Sequence, residues 1–361
     1  MKRSNSAIAR PATAMKAVDF FCGAGGMSYG LSQAGIEVLA GIDNSNDCQD
    51  TYEHNIPGAR YIRHDIVELS AAELIRRLGI KRNDPDLIFC GCSPCQFWSK
   101  IRTDKSKSEK TAFLLKQFQR FIRHFRPGFV VVENVPGLAR TKDHTILAEF
   151  IEFLSELGYR CSDGIINAAH FGVPQNRIRY LLIASRVGDV RPLPKADTGE
   201  NLAVADFIGP KNGFPPIEAG TRDTSEFNHT ARSLSGKNLE RIAMTPASGG
   251  TRTAWAGRQD LQIDAYRDSD QIFRDVYGRM SWDKPAPTIT TKFLSLSNGR
   301  FGHPEENRAL SVREGATLQT FPREFVFRGN NLEALGRQIG NAVPPALAKR
   351  IGEHLMGLRY G

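Results

Sequence analysis

A chain of 361 residues with 40% hydrophobic and 24% charged content has the balance of a soluble globular protein, long enough for one large α/β domain plus a smaller second one. No apolar run approaches the roughly 18 to 20 residues of a membrane span, and the basic start Met1 to Lys16 lacks the apolar middle of a secretory signal, so an intracellular, cytoplasmic protein without a membrane partner is expected. The net charge of +9 is concentrated, since Lys100 to Arg126 holds nine Lys or Arg against Asp104 and Glu109.

Residues 1–16 carry four basic and no acidic side chains and no periodicity, which reads as a disordered arm. Strand-like apolar runs then follow at Ala17 to Phe21, Val38 to Ile42, Tyr61 to Ile66, Leu87 to Cys90, Phe129 to Val132 and Tyr180 to Ala184. Between them, helical patterns occur near Met27 to Ala34, Ala71 to Leu78, Phe113 to Arg126 and Thr145 to Leu157. That alternation implies a doubly wound, mostly parallel α/β sheet of Rossmann-like type, with ligands at the carboxyl ends of its strands. Lys100 to Lys110, rich in Ser, Lys and Asp, reads as a mobile loop whose cations can meet phosphates as it closes. After Arg186 the pattern breaks up, and residues 187–285, with many Pro, Gly, Ser and Thr and no long helix, read as a second, irregular domain or large insertion. Helical signals return at Ser311 to Gln319 and Pro345 to His354.

The chemistry-bearing residues fall at the ends of those strands. Asp19-Phe20-Phe21-Cys22-Gly23-Ala24-Gly25-Gly26 puts a glycine-rich turn between the first strand and a helix. A dinucleotide fingerprint would want a third glycine three residues after Gly25, where Ser28 stands. Asp43 ends the second strand, placed to accept hydrogen bonds from ribose hydroxyls, and Asp65 follows the third. Gly91-Cys92-Ser93-Pro94-Cys95-Gln96 follows the fourth strand and Glu133-Asn134-Val135 the fifth. A thiol beside Pro and Gln, plus a carboxylic acid from a separate strand end, is what attack on a pyrimidine ring requires. The thiolate adds to carbon 6 of a cytosine while the acid donates to the Watson-Crick edge, so that carbon 5 can take a methyl group. Arg177 and Arg179 stand two apart, the spacing at which strand side chains point one way. No metal is expected: zinc sites need four ligands in paired groups, whereas beyond Cys90, Cys92 and Cys95 the remaining Cys22, Cys48 and Cys161 are scattered.

In order, these motifs and Gln338-Ile339-Gly340-Asn341-Ala342-Val343-Pro344 resemble the DNA (cytosine-5) methyltransferase family of bacterial or phage type, from about Val18 to Ile351. The resemblance implies S-adenosylmethionine as methyl donor, with S-adenosylhomocysteine as product. Its pocket would be formed by Phe21, Gly23, Gly25, Gly26, Asp43, Asp65, Ile66, Pro94, Asn341, Ala342 and Val343. Cys95 would be the nucleophile and Glu133 the acid; Arg179 would contact the cytosine carbonyl oxygen and Arg177 orient the catalytic groups. Gln96, Ser99, Asn134, Lys105, Arg232 and Arg252 would contact a flipped-out base or its duplex, and Thr221, Arg222, Arg241, Arg258 and the Gly249-Gly250 pair are further groove candidates. The organisation implied is a catalytic domain at 17–186, target recognition at 187–290, and a segment at 291–361 that returns to the catalytic domain through Arg308 to Pro322. Expected partners are double-stranded DNA and a cognate restriction endonuclease acting on the same sequence without a stable complex. The setting implied is restriction-modification or epigenetic marking by a monomer associated with a bacterial nucleoid. The tRNA-methylating branch of the family has a shorter recognition region and a Cys-Phe-Thr signature that this chain lacks.

Overall fold

The order of the strands determines where a ligand can enter. The computed structural model describes residues 14–92, 105–139, 146–188, 192–197, 199, 202–264 and 275–360, with only the backbone described at 105–112 and 138–139. In chain order the first part comprises β1 (Lys16–Phe20), α1 (Gly26–Gln33), β2 (Glu37–Asp43), α2 (Gln49–Asn55), β3 (Arg60–Arg63), α3 (Ala71–Leu78), β4 (Leu87–Gly91), α4 (Lys105–Phe125) and β5 (Phe129–Asn134). Then come α5 (Ile146–Glu156), β6 (Arg160–Asn167), β7 (Gln175–Asn176) and β8 (Ile178–Ser185). The seven-stranded sheet has the order β3-β2-β1-β4-β5-β8-β6, with β1 to β5 parallel and β8 antiparallel to both its neighbours. Strand order reverses between β1 and β4, and a crevice opens there at the carboxyl ends, as expected of a doubly wound sheet.

Burial follows the residue pattern. Every residue of β5 is buried, as a strand covered on both faces requires. On α4, Phe118, Phe121, Ile122 and Phe125 recur at helical spacing and are almost wholly buried against the sheet, the Phe118 ring 5.1 Å from that of Phe20. Helix α4 begins at Lys105, so Lys105 to Lys110 form its first turns and not a loop; Lys and Glu are good helix formers, and the stretch holds no Gly or Pro to stop it. The rest of the expected loop, Lys100 to Asp104, lies outside the described residues. Met15 is fully buried and β1 starts at Lys16, which moves the ordered chain ahead of the expected boundary at 17; residues 1–13 lie outside the description.

The later part holds α6 (Gly236–Met244), β9 (Ala286–Pro287), α7 (Val312–Leu318), α8 (Leu332–Asn341) and α9 (Pro345–Tyr360). Helix α9 packs on α1 so closely that a Cβ on Gly30 would fall 2.4 Å from that of Ala348. Within 202–264, Val204, Ile208 and Phe214 join the same apolar core as the sheet, while Ile242, Trp255 and Leu261 form a smaller cluster with Val276 and Tyr277. Much of this region has no ladder to satisfy its carbonyls, and arginines take that role. Arg279 donates to the carbonyls of Ile242 (2.7 Å), Thr245 (2.8 Å) and His303 (3.0 Å), and Arg313 to those of Phe227 (2.6 Å) and Phe325 (2.9 Å). Among the described residues no helix is long and apolar enough to cross a membrane.

Candidate active site

The carboxyl ends of β1, β2, β4 and β5 open into one cavity of about 610 Å³, closed on its far side by α8 and the turn that follows it. One half is built on the glycine turn. Phe21 takes a left-handed backbone (φ 61°), unusual for an aromatic residue, and its N–H and that of Cys22 both donate to the Ile42 carbonyl at 2.7 and 3.2 Å. Gly25, at φ 93°, turns the chain into α1. A Cβ on Gly26 would fall 2.2 Å from the Val343 carbonyl oxygen, so the turn and the segment after α8 can meet only through a glycine.

Asp43 is tied to this turn. Its Oδ2 accepts from the Gly23 N–H and its Oδ1 from the Ser45 N–H, both at 2.9 Å. Burial raises its pKa although those bonds oppose the rise. Asp65 sits exposed on the rim, its Oδ1 taking the Val67 N–H at 2.9 Å, beside buried Ile66. Ala342 and Val343 are buried in the opposite wall and Asn341 is exposed at the end of α8. Apolar faces from Phe21, Ile66 and Val343, acceptors at Asp43 and Asp65, and backbone exposed at the glycine turn together suit a purine nucleoside carrying an amino-acid chain.

The other half is polar and reactive. Glu133 and Asn134 end β5, and Arg179 on β8 places its Nε 3.1 Å from Glu133 Oε1. The approach is off the hydrogen-bonding direction, so Oε1 is buried beside a positive charge yet has no hydrogen-bond donor among the described residues. Asn134 Oδ1 accepts from the Val135 N–H at 2.7 Å, stiffening the strand end. Arg177 is 2% exposed and donates to the carbonyls of Ile289 (3.1 Å), Gly340 (3.2 Å) and Ala342 (2.9 Å). It therefore joins the strand bearing Arg179 to the wall that holds Val343. Burial first, then the neighbouring Arg179, push its pKa well down.

Cys95, Pro94, Gln96 and Ser99 lie outside the described residues, as does the side chain of Lys105. Three described thiols line the cavity, and all are poor nucleophiles. Burial, with Asp43 beside one and Glu133 beside the other, pushes Cys22 and Cys92 well up, and burial with Asp43 pushes Cys48 up to about 12.

Of the proposed groove contacts, Arg252 needs correction: it is 3% exposed, folded into the irregular region it was expected to extend from. Arg241 is likewise engaged, donating to the carbonyls of Leu261 (2.9 Å) and Gln262 (3.3 Å) with its guanidinium 5.5 Å from the Trp255 ring centre. Arg232 is half-buried in an ion pair with Glu333, and Arg258 pairs with Asp260 at 2.6 Å. Arg222 is exposed. Two features of the cavity were not foreseen. Asp47 and Arg337 form an ion pair at 2.7 Å on its rim. Asp19, fully buried, accepts from the Ser28 hydroxyl at 2.7 Å beneath the glycine turn; its signal in the sequence is a charged residue inside an otherwise apolar strand. Among the described residues no group of three or more His, Cys, Asp or Glu is placed to hold a metal.

The model of the family "C-5 cytosine-specific DNA methylase" matches residues 15–357. The type II methylase M.HgiDII of Herpetosiphon aurantiacus is 39% identical over 350 residues, spanning 94% of this chain and 96% of the relative. The type II methyltransferase M1.HphI of Haemophilus parahaemolyticus is 33% identical over 342 residues, spanning 94% and 86%. In fold, the chain is similar to a DNA modification methyltransferase encoded within an E. coli prophage (TM-score 0.72, 22% identity, 96% and 99% covered). It is also similar to the Entamoeba histolytica methyltransferase EhMeth (TM-score 0.63, 14% identity, 96% and 98% covered).

Proposed function

The chain belongs to the C-5 cytosine-specific DNA methylases and is a DNA cytosine-5 methyltransferase; from that premise we propose that it works through a covalent bond between Cys95 and a cytosine turned out of the duplex. Phe21, the Gly23 to Gly26 turn, Asp43, Asp65, Ile66, Pro94 and residues 341–343 would hold S-adenosylmethionine, which would supply an electrophilic methyl group. Carbon 5 of a paired cytosine is stacked within the helix, so the base must leave it to be reached. The Cys95 sulfur bonds to carbon 6 while Glu133 passes a proton to the ring nitrogen at the Watson-Crick edge, and Arg179 holds the neighbouring carbonyl oxygen. Carbon 5 then takes the methyl group. Loss of its proton to a base or water, with breakage of the sulfur–carbon bond and return of the ring proton to Glu133, frees Cys95. Arg177 acts as a positioning residue through the wall it fastens.

The observation that carries this reading is the buried Glu133 oxygen, without a hydrogen bond and 3.1 Å from Arg179, in the same cavity as the glycine turn. A site shaped for a ligand leaves such an atom open for it. The high pKa of the cavity thiols Cys22, Cys48 and Cys92 supports giving the nucleophile's part to Cys95, whose Pro-Cys-Gln setting is the family's. We assign target choice to residues 187–290, with Gln96, Ser99, Asn134, Lys105 and Arg232 as DNA contacts, to a protein that acts as a monomer. Its likeness to type II methylases favours a role in protecting a short duplex sequence, alongside an endonuclease that need not bind it. The test is transfer of labelled methyl from S-adenosylmethionine to duplex DNA and to tRNA. Transfer to DNA is expected, and Cys95→Ser should abolish it while the cofactor still binds; a Ser variant with even a tenth of parental turnover would remove Cys95 from this role.

A further inference from the structure

We propose that Asp19 is the residue by which this pocket distinguishes the cationic methyl donor from the neutral product: its buried carboxylate favours the sulfonium of S-adenosylmethionine over the thioether of S-adenosylhomocysteine, and it releases a proton when the former binds. The inference rests on the cofactor assigned above and concerns a residue that the reaction scheme does not use.

Asp19 lies one residue before the end of β1, directly under the glycine turn, and is one of the residues around the cavity although its side chain reaches no solvent. Oδ2 accepts from Ser28 Oγ on α1 at 2.7 Å, and that hydroxyl lies 2.9 Å from the Tyr52 hydroxyl of α2. Oδ1 has no partner. A carboxylate held out of water with one oxygen unsatisfied is costly, and the cost is relieved either by a proton or by a nearby cation. Burial raises the pKa of Asp19 to about 7, with Ser28 opposing and Asp43 adding to the rise. The groups around it are Asp43 from β2, Tyr52 from α2, Cys22 from the turn, and Cys90 and Cys92 at the end of β4. Among the described residues none of these groups is a cation, and the thiols and the phenol are themselves held neutral by burial. The cavity's described guanidinium groups are engaged elsewhere, Arg179 beside Glu133, Arg337 with Asp47 and Arg177 on backbone carbonyls, so a positive charge beside Asp19 would come from the ligand, and in so dry a wall it is felt over several ångströms. Methyl transfer removes the sulfonium charge, the Asp19 carboxylate regains its proton from solvent, and the pocket's preference for the occupant is lost at the moment the product must leave.

Calorimetric titration of the full chain with each cofactor form, from pH 6 to 8 in two buffers of different ionisation heat, measures affinity and proton release together. Binding of S-adenosylmethionine should release a proton near pH 7 and that of S-adenosylhomocysteine should not. The affinity ratio between them should rise with pH, by about tenfold for each unit by which the sulfonium lowers the carboxyl's pKa. In Asp19→Asn the proton release should vanish and the ratio become flat. Should that variant fail to fold, Ser28→Ala, which removes the hydrogen bond that favours ionisation, should move the proton release of the donor to higher pH. Equal proton release with both ligands, none with either, or an unchanged ratio in Asp19→Asn would overturn the inference. Failure of both ligands to bind would overturn the cofactor assignment and this inference with it, whereas binding of the donor without proton release would overturn this inference alone.

Discussion

Glu133 shows how much of a reacting group's behaviour is set by what it lacks. Its Oε1 has a charge beside it, Arg179 Nε at 3.1 Å, but no hydrogen bond, so a donor or acceptor on a substrate base finds the position open. A glutamine there keeps the shape and loses the transferable proton. Glu133→Gln is expected to slow single-turnover methyl transfer by about a hundredfold or more while leaving cofactor affinity near the parental value; a loss below about threefold would remove it as the acid. Residues of this kind were legible in the sequence because each ends an apolar strand, where a polar side chain has little structural reason to be: Asp43 after Val38 to Ile42, Glu133 after Phe129 to Val132. The arginines read as groove contacts were not legible in the same way. Arg241 and Arg252 look like free groove contacts in the sequence, yet the first is bonded to backbone carbonyls and the second is buried. Whether an arginine meets a phosphate or a carbonyl depends on which unsatisfied backbone folds up around it, and that is a tertiary property.

At the scale of elements, the helices and strands that the sequence revealed are those with a buried stripe, such as α4 with Phe118, Phe121 and Phe125, or a continuous apolar run, such as β5. Edge strand β6, only partly buried and containing Asp163 and Gly164, has neither pattern; nor does α2, where only Thr51 and Tyr52 are buried. Finding helix where a loop was expected also changes the use of the basic run. Along α4, Lys107 and Lys110 stand three apart and share a face, while Lys105 lies on another. If that face meets the phosphate backbone, neutralising Lys107 and Lys110 together should lower the log–log salt dependence of duplex binding by about two units, alike for target and non-target DNA. An unchanged slope would mark them as a solvated face of the helix.

For the whole molecule, three buried groups set opposing pH dependences. Burial pushes the Glu314 carboxyl up, but Arg308, bonded at 2.7 and 2.8 Å, with His303 and the Ser311 N–H, outweighs it and brings the pKa down to about 2. Its stabilisation is thus complete above the ordinary value of 4.5 and is lost as pH falls toward 2. His303, carried by burial from 6.5 to about 4, contributes stability above 6.5 that is lost as pH falls through 4. Asp19 acts in the other sense: raised from 3.8 to about 7, it contributes fully below 3.8 and the contribution is gone once pH has risen past 7. His303 and Asp19 should therefore offset one another between about pH 4 and 6.5, each at no more than about 1.4 kcal/mol per pH unit. The parent is expected to show a nearly level melting temperature across that window and a fall below it. Asp19→Asn should uncover a rise with pH; a profile parallel to the parent's would show that Asp19 does not titrate there. The close meeting of Gly26 with Val343, and of α1 with α9, has a consequence for how the protein comes into being. Synthesis runs from the amino end, and the glycine turn is made some three hundred residues before the wall that completes it. A nascent chain still short of residue 343 has half a pocket, so the power to mark DNA arrives only once the wall that meets Gly26 has been made and folded back on the turn.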